Sequence, residues 1–163
     1  MKNYISNVLI YVAALCGIIA FIGLFASPLQ SFNDIQKTWS AYNVSAYFGD
    51  LKNGAYKGAI LPIFGYILPL LMSIFLIIES FKPSLDNRLT VINTVLAILF
   101  FLSAVLVLLT KELWLQANHL GETTFIRNGA GPIMASILST CAGIILLIVT
   151  YLPINKKIDY IEK

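Results

Sequence analysis

The 163 residues are 58% hydrophobic and only 12% charged, with a formal net charge of +3, whereas a soluble domain carries about 25% charged residues. That balance excludes a water-soluble globular protein, and the dispersal of the cations excludes a nucleic-acid-binding surface, which needs a clustered basic face. Four apolar stretches match a bilayer core that takes about 20 helical residues to cross; they predict transmembrane helices over residues 7–27, 58–79, 89–110 and 130–153. None alternates with period two, which argues against a β-barrel. The fold class expected is an all-α integral membrane protein: one four-helix transmembrane domain over residues 1–163, with outer loops 28–57 and 111–129 and an inner loop 80–88.

The first span is longer than the apolar core of a signal peptide, Pro28 follows Ser27 where a processing site would lie, and Leu15-Cys16 lacks a lipoprotein signal's small residue. It reads as a retained helix. Its small residues Ala13, Cys16, Ala20, Gly23 and Ser27 step by three and four, a seam suited to packing against another helix. Cys16 and the second cysteine, Cys141, share no CxxC motif and read as small buried hydrophobes.

The first outer loop is dense in aromatic residues, as is usual at a membrane–water boundary. Phe32, Ile35, Trp39 and Tyr42 step by three and four, which predicts a short amphipathic surface helix with Ser31 or Asn33 as its N-cap. Asn43-Val44-Ser45 matches the glycosylation sequon. The second span carries Pro62 and Pro69 on one face, each freeing a backbone carbonyl one turn earlier. The third is the most apolar, with Asn93 its only strongly polar residue.

The second outer loop holds His119, the only histidine, with Glu112 and Glu122 close in sequence. A single histidine cannot supply a multi-histidine metal site, and water-facing placement accounts for it. The fourth span repeats Gly131, Ala135, Ser139 and Gly143 every four residues, a bulk-free stripe opposite Ile133, Ile137, Ile144 and Ile148. Pairing of the first and fourth spans follows, with Ala13, Ala20, Gly131, Ala135, Ser139 and Gly143 as packing residues.

Two pieces recur at one offset of 75 residues: Trp39 and Asn43 as Trp114 and Asn118, and Lys52-Asn53-Gly54-Ala55 as Arg127-Asn128-Gly129-Ala130. Two tandem helical hairpins related by a duplication, and chance recurrence in a biased composition, both account for this. Cations lie denser at the termini and in the inner loop (Lys2, Lys82, Arg88, Lys156, Lys157, Lys163) than in the long outer segments, which places both termini in the cytoplasm of a cell-membrane protein. In layout the chain resembles claudin-type tetraspan proteins, with four helices, inside termini and a longer first outer loop. Their first outer loop carries a Gly-Leu-Trp run and two cysteines; this one holds Trp39 and no cysteine, so the resemblance is topological and carries no junction-forming role.

No P-loop, HExxH or GxSxG motif occurs, and no cofactor or metal is expected. The function expected is non-enzymatic: an accessory or scaffold protein that binds a protein partner or membrane lipid through Trp39, Tyr42, Asn43, Trp114 and Asn118. A small channel or transporter subunit forming its path as an oligomer is the alternative, supported by the proline pair and by the polar residues of the last two spans.

Overall fold

A computed structural model describes residues 2–33, 36–42, 44–49, 57–81, 86–121 and 125–151, and of residues 2–6, 39 and 86–89 the backbone course alone. Four helices are long and apolar enough to cross a membrane: α1 (Lys2–Ile22), α2 (Leu61–Ser80), α3 (Asp86–Leu108) and α5 (Ala130–Tyr151). Between the last two lies the short helix α4 (Thr110–Ala117), and three strands stand at the same end of the bundle: β1 (Leu29–Asn33), β2 (Thr38–Ala41) and β3 (Ile126–Asn128). The helices α1, α2, α3 and α5 pack in a ring, each against its two neighbours, so α5 closes on α1 as well as α3. Apolar side chains cover the outside as well as the core: Leu15, Leu71, Ile98 and Ile137 are each about half exposed. Such an exterior suits hydrocarbon as solvent.

The interior is built by removing bulk. A Cβ at Gly17 would strike Ser73 Oγ and come within 2.8 Å of the Pro69 carbonyl, so glycine there is what lets α1 lie directly on α2. The stripe on α5 is buried along its length, with Ala135 at 1% and Ser139 at 0% exposure. It does not serve one neighbour. A Cβ on Gly131 would come within 2.5 Å of the Gly23 carbonyl of α1's end, whereas one on Gly143 would meet Phe101 and the Ala97 carbonyl of α3. A four-residue step advances slightly more than a full turn, so the stripe winds obliquely from one partner to the next. Ala13 and Ala20 are both 0% exposed, and Ala20 shares a cluster with Ala135, Tyr47, Tyr66 and Val107. Nearer the loop linking α2 to α3, Phe100, Leu76, Leu146 and Met72 fill the interior.

Polar groups inside the bundle find partners within it. Pro69 has no N–H, so the Gly65 carbonyl one turn earlier lacks its helical donor; Ser103 Oγ of α3 donates to it at 2.6 Å, and Ser139 Oγ of α5 lies 3.4 Å from Ser103. At the opposite end of the bundle, Ser80 Oγ donates to the Tyr11 hydroxyl at 3.1 Å, and Thr94 and Tyr151 share a hydroxyl hydrogen bond of 3.0 Å. Glu79, in the last turn of α2, is 7% exposed, and one sequence reading changes. Cys141, expected to be buried, is exposed on the bundle's outer surface, while Cys16 is half-buried.

Candidate functional site

The segment expected to form an amphipathic helix is instead a β-hairpin. Asn33 Oδ1 accepts the Gln36 N–H at 3.2 Å, and Lys37 adopts φ 50°, so the chain reverses where a helix would have continued. Phe32 then faces Trp39 across the antiparallel pair, and Ser31 faces Ser40. The other edge of β1 takes β3, with Gln30 opposite Arg127; Arg127 Nε also donates to Gln30 Oε1 at 2.9 Å. The sheet order is β2-β1-β3, which binds the first outer loop to the second.

Below the sheet, the exit of α1 is fastened to the start of α5. Ser27 accepts the Ala130 N–H through its Oγ at 3.4 Å and the Gly131 N–H through its carbonyl at 3.1 Å, while Pro28 O accepts Gly129 N–H at 2.9 Å. These partners satisfy donors that a helix N-terminus leaves open. Asn128 does similar duty where α3 ends at Leu108 and the chain restarts as α4: its Nδ2 donates to the Leu108 carbonyl at 2.7 Å, and its Oδ1 accepts the Lys111 N–H at 3.0 Å. One amide thus caps both sides of the break.

Helix α4 lays Trp114 and Leu115 onto Leu29 and Ala59, a separate small core with Tyr42 packed beside it. The Tyr42 and Trp114 rings are 6.0 Å apart at 50°. At the end of α4, Leu120 N–H bonds Leu115 O at 3.0 Å and His119 N–H bonds Gln116 O at 3.1 Å, with His119 at φ 53°. This is a Schellman ending with histidine in the position glycine usually takes. Asn118 grips the first outer loop from the preceding position: its Oδ1 accepts the Lys57 N–H at 2.6 Å, and its Nδ2 donates to the Lys57 carbonyl at 3.0 Å and the Trp114 carbonyl at 2.8 Å.

The remaining tie enters the bundle itself. A short 3₁₀ turn, Val44–Tyr47, sends the Tyr47 side chain down to 1% exposure, where its hydroxyl donates to Tyr66 of α2 at 2.8 Å and the rings meet edge to face at 5.9 Å. Thr110 also bonds the Tyr47 hydroxyl, yet burial outweighs both hydroxyl partners and pushes the phenol up to about 12.

These placements redraw the expected contact set. Trp114 is 2% exposed and Tyr42 is half-buried; both belong to the cap's own core, because an aromatic ring of that size on a sheet–helix interface is worth more buried than displayed. Asn118 is committed to backbone. Trp39 contributes its backbone to β2, while its side chain and Asn43 lie outside the described residues, as do Lys52-Asn53-Gly54-Ala55. Trp39 stands in a strand and Trp114 in a helix, so these two positions of the repeat have different structures. Among the described residues, the large apolar side chains that the cap exposes include Phe48 at 57%, Phe125 at 53% and Leu120 at 42%, none of which the sequence marks as a contact residue. The outward edge of the sheet, β2, carries exposed Thr38, Ser40 and Ala41. Among the described residues, no three His, Cys, Asp or Glu side chains come together as metal ligands. The chain matches no protein-family model, no curated protein and no solved structure.

Proposed function

We propose that this chain is a non-enzymatic accessory protein of the cell membrane, with both termini in the cytoplasm and the cap outside, and that the cap binds a protein partner. The observation that carries this reading is a cap with its own core, tied together at Asn118 and fixed to the bundle at Ser27, Asn128 and Tyr47. Such fixing leaves little to order on binding, so a rigid surface retains more of its contact energy than a loop would. Phe48, Leu120 and Phe125 are apolar side chains displayed on that support, and apolar anchors on a rigid frame are what a protein interface uses.

Photo-crosslinking in native membranes tests the reading. A photoreactive residue at position 48 or 125 should give a discrete protein adduct that the same residue at Ile137, on the outer face of α5, does not. If positions 48 and 125 capture lipid alone, the cap is a membrane-surface element and the partner reading falls.

A further inference from the structure

We propose that α2 hinges at Gly65–Pro69, that Ser103 latches the hinge, and that the Tyr47–Tyr66 hydrogen bond makes the Val44–Tyr47 turn of the cap and the outer half of α2 move as one lever. This goes beyond the accessory role, since it concerns coupling within the chain and needs no partner.

The hinge follows from the helix ladder. Pro69 interrupts α2 within its length, and the interruption removes the donor that would hold Gly65 O along the helix axis. Residues 61–65 are therefore joined to the rest of α2 by one fewer backbone bond than an unbroken helix has. Gly65 adds a second weakness, having the largest backbone freedom of any residue. Below the break the helix is held by its neighbour: Gly17 lets α1 pack directly on Ser73 Oγ and the Pro69 carbonyl, which Ser73 Oγ itself bonds at 2.7 Å. The stiff half and the loose half thus meet at Pro69.

The latch is the replacement donor. Ser103 Oγ reaches Gly65 O from α3 at 2.6 Å while staying within 3.4 Å of Ser139 Oγ on α5. A hydroxyl has one proton to give. Ser139 therefore offers Ser103 a second acceptor when Gly65 swings away, so release leaves no buried donor orphaned. The approach is close because Gly65 lacks a Cβ, which would come within 2.8 Å of Val107 and 3.0 Å of Leu106. The loose half is also the half the cap holds: Tyr66 follows Gly65 directly, and the Tyr47 hydroxyl bonds it from the outer loop at 2.8 Å.

The test uses two spin-label pairs in the full-length protein, reconstituted in nanodiscs with Cys16 and Cys141 replaced by serine. One pair, at Phe64 and Ile133, spans the outer half of α2 and α5; the other, at Ile78 and Ile144, lies below the hinge. Ser103→Ala should broaden the outer distance distribution and leave the inner one unchanged. It should also speed amide exchange at Tyr47 and Phe48 about tenfold, the factor that corresponds to one net hydrogen bond. Pro69→Ala restores an N–H to the Gly65 carbonyl, so Ser103→Ala placed on that background should broaden nothing. A structural serine would behave the same on both backgrounds. Equal broadening of the inner and outer pairs, no change in the outer pair, or an undiminished effect beside Pro69→Ala would each overturn the hinge and its latch. Unchanged exchange at Tyr47 and Phe48 would remove the lever's link to the cap.

Discussion

Replacing Trp114 with alanine distinguishes a cap held by its own core from one whose tryptophan is a docking residue. The side chain is 2% exposed and sits among Leu29, Leu115 and Ala59, themselves 0–6% exposed, with the Tyr42 ring 6.0 Å away. Truncating a buried aromatic of this kind costs about 3–5 kcal/mol, which at about 1.4 kcal/mol per decade corresponds to two to three and a half decades of local opening. The cost falls on the cap because the clusters around Ala135 and around Phe100 do not include Trp114. Amides of β1 and β3 should therefore exchange faster by about those decades, while α5 amides keep their protection. Trp114→Phe, which keeps a ring against Tyr42, should recover much of the loss. Hydrogen exchange read by mass spectrometry on the purified protein in nanodiscs is the assay. If strand exchange in Trp114→Ala stays at the wild-type rate while partner capture disappears, the side chain is a contact residue and the core assignment is wrong.

Asn118→Asp keeps the acceptor for the Lys57 N–H but loses the donors to the Lys57 and Trp114 carbonyls. At about 0.5–1.5 kcal/mol per net hydrogen bond, the cap should weaken by about 1–3 kcal/mol, measured as an earlier tryptophan-fluorescence melting transition. His119→Gly should raise that transition, because φ 53° is strained for a residue with a Cβ; the gain expected is about 0.5–1 kcal/mol. The raised Tyr47 phenol sets a pH dependence: its protonated form is favoured by folding, so its contribution is whole below an unfolded value near 10 and is lost as pH climbs toward about 12. Denaturant titrations at pH 9 to 12 should show that loss in the wild type and a smaller one in Tyr47→Phe; equal slopes would contradict it.

The membrane helices were legible because hydropathy depends on each residue alone: four runs of apolar side chains need no knowledge of their neighbours to be recognised as spans. The small-residue stripe on α5 was legible for a related reason, since bulk is absent from one face whichever helix comes to fill it. The pairing with α1 follows from the matching seam and is found at Gly131, whereas the drift of the stripe that sends Gly143 to α3 is not legible without the fold. The cap was misread where local and distant signals disagree. The three- and four-residue steps of Phe32, Ile35, Trp39 and Tyr42 fit a helix, but β1 is held by β3, nearly a hundred residues further on, and no local window contains that pairing. Strand preference is set by such surroundings more than by composition. Asn118 and Asn128 escaped notice as clamps because an asparagine's backbone partners are invisible until the chain is folded. Trp114 is expected on display and is buried, since sequence says that a ring must be accommodated without saying on which side of a surface.

The pairing of Gln30 with Arg127 and of Ser27 with Gly131 also has a temporal side. A ribosome feeds the first partner of each pair into the membrane long before it has made the second. Until β3 and α5 arrive, β1 waits with an empty edge and α1 with an uncovered flank, so three inserted spans make an open arc and only the fourth turns it into a ring. Chains cut short before residue 126 should therefore be legible to membrane quality control as incomplete, and removed.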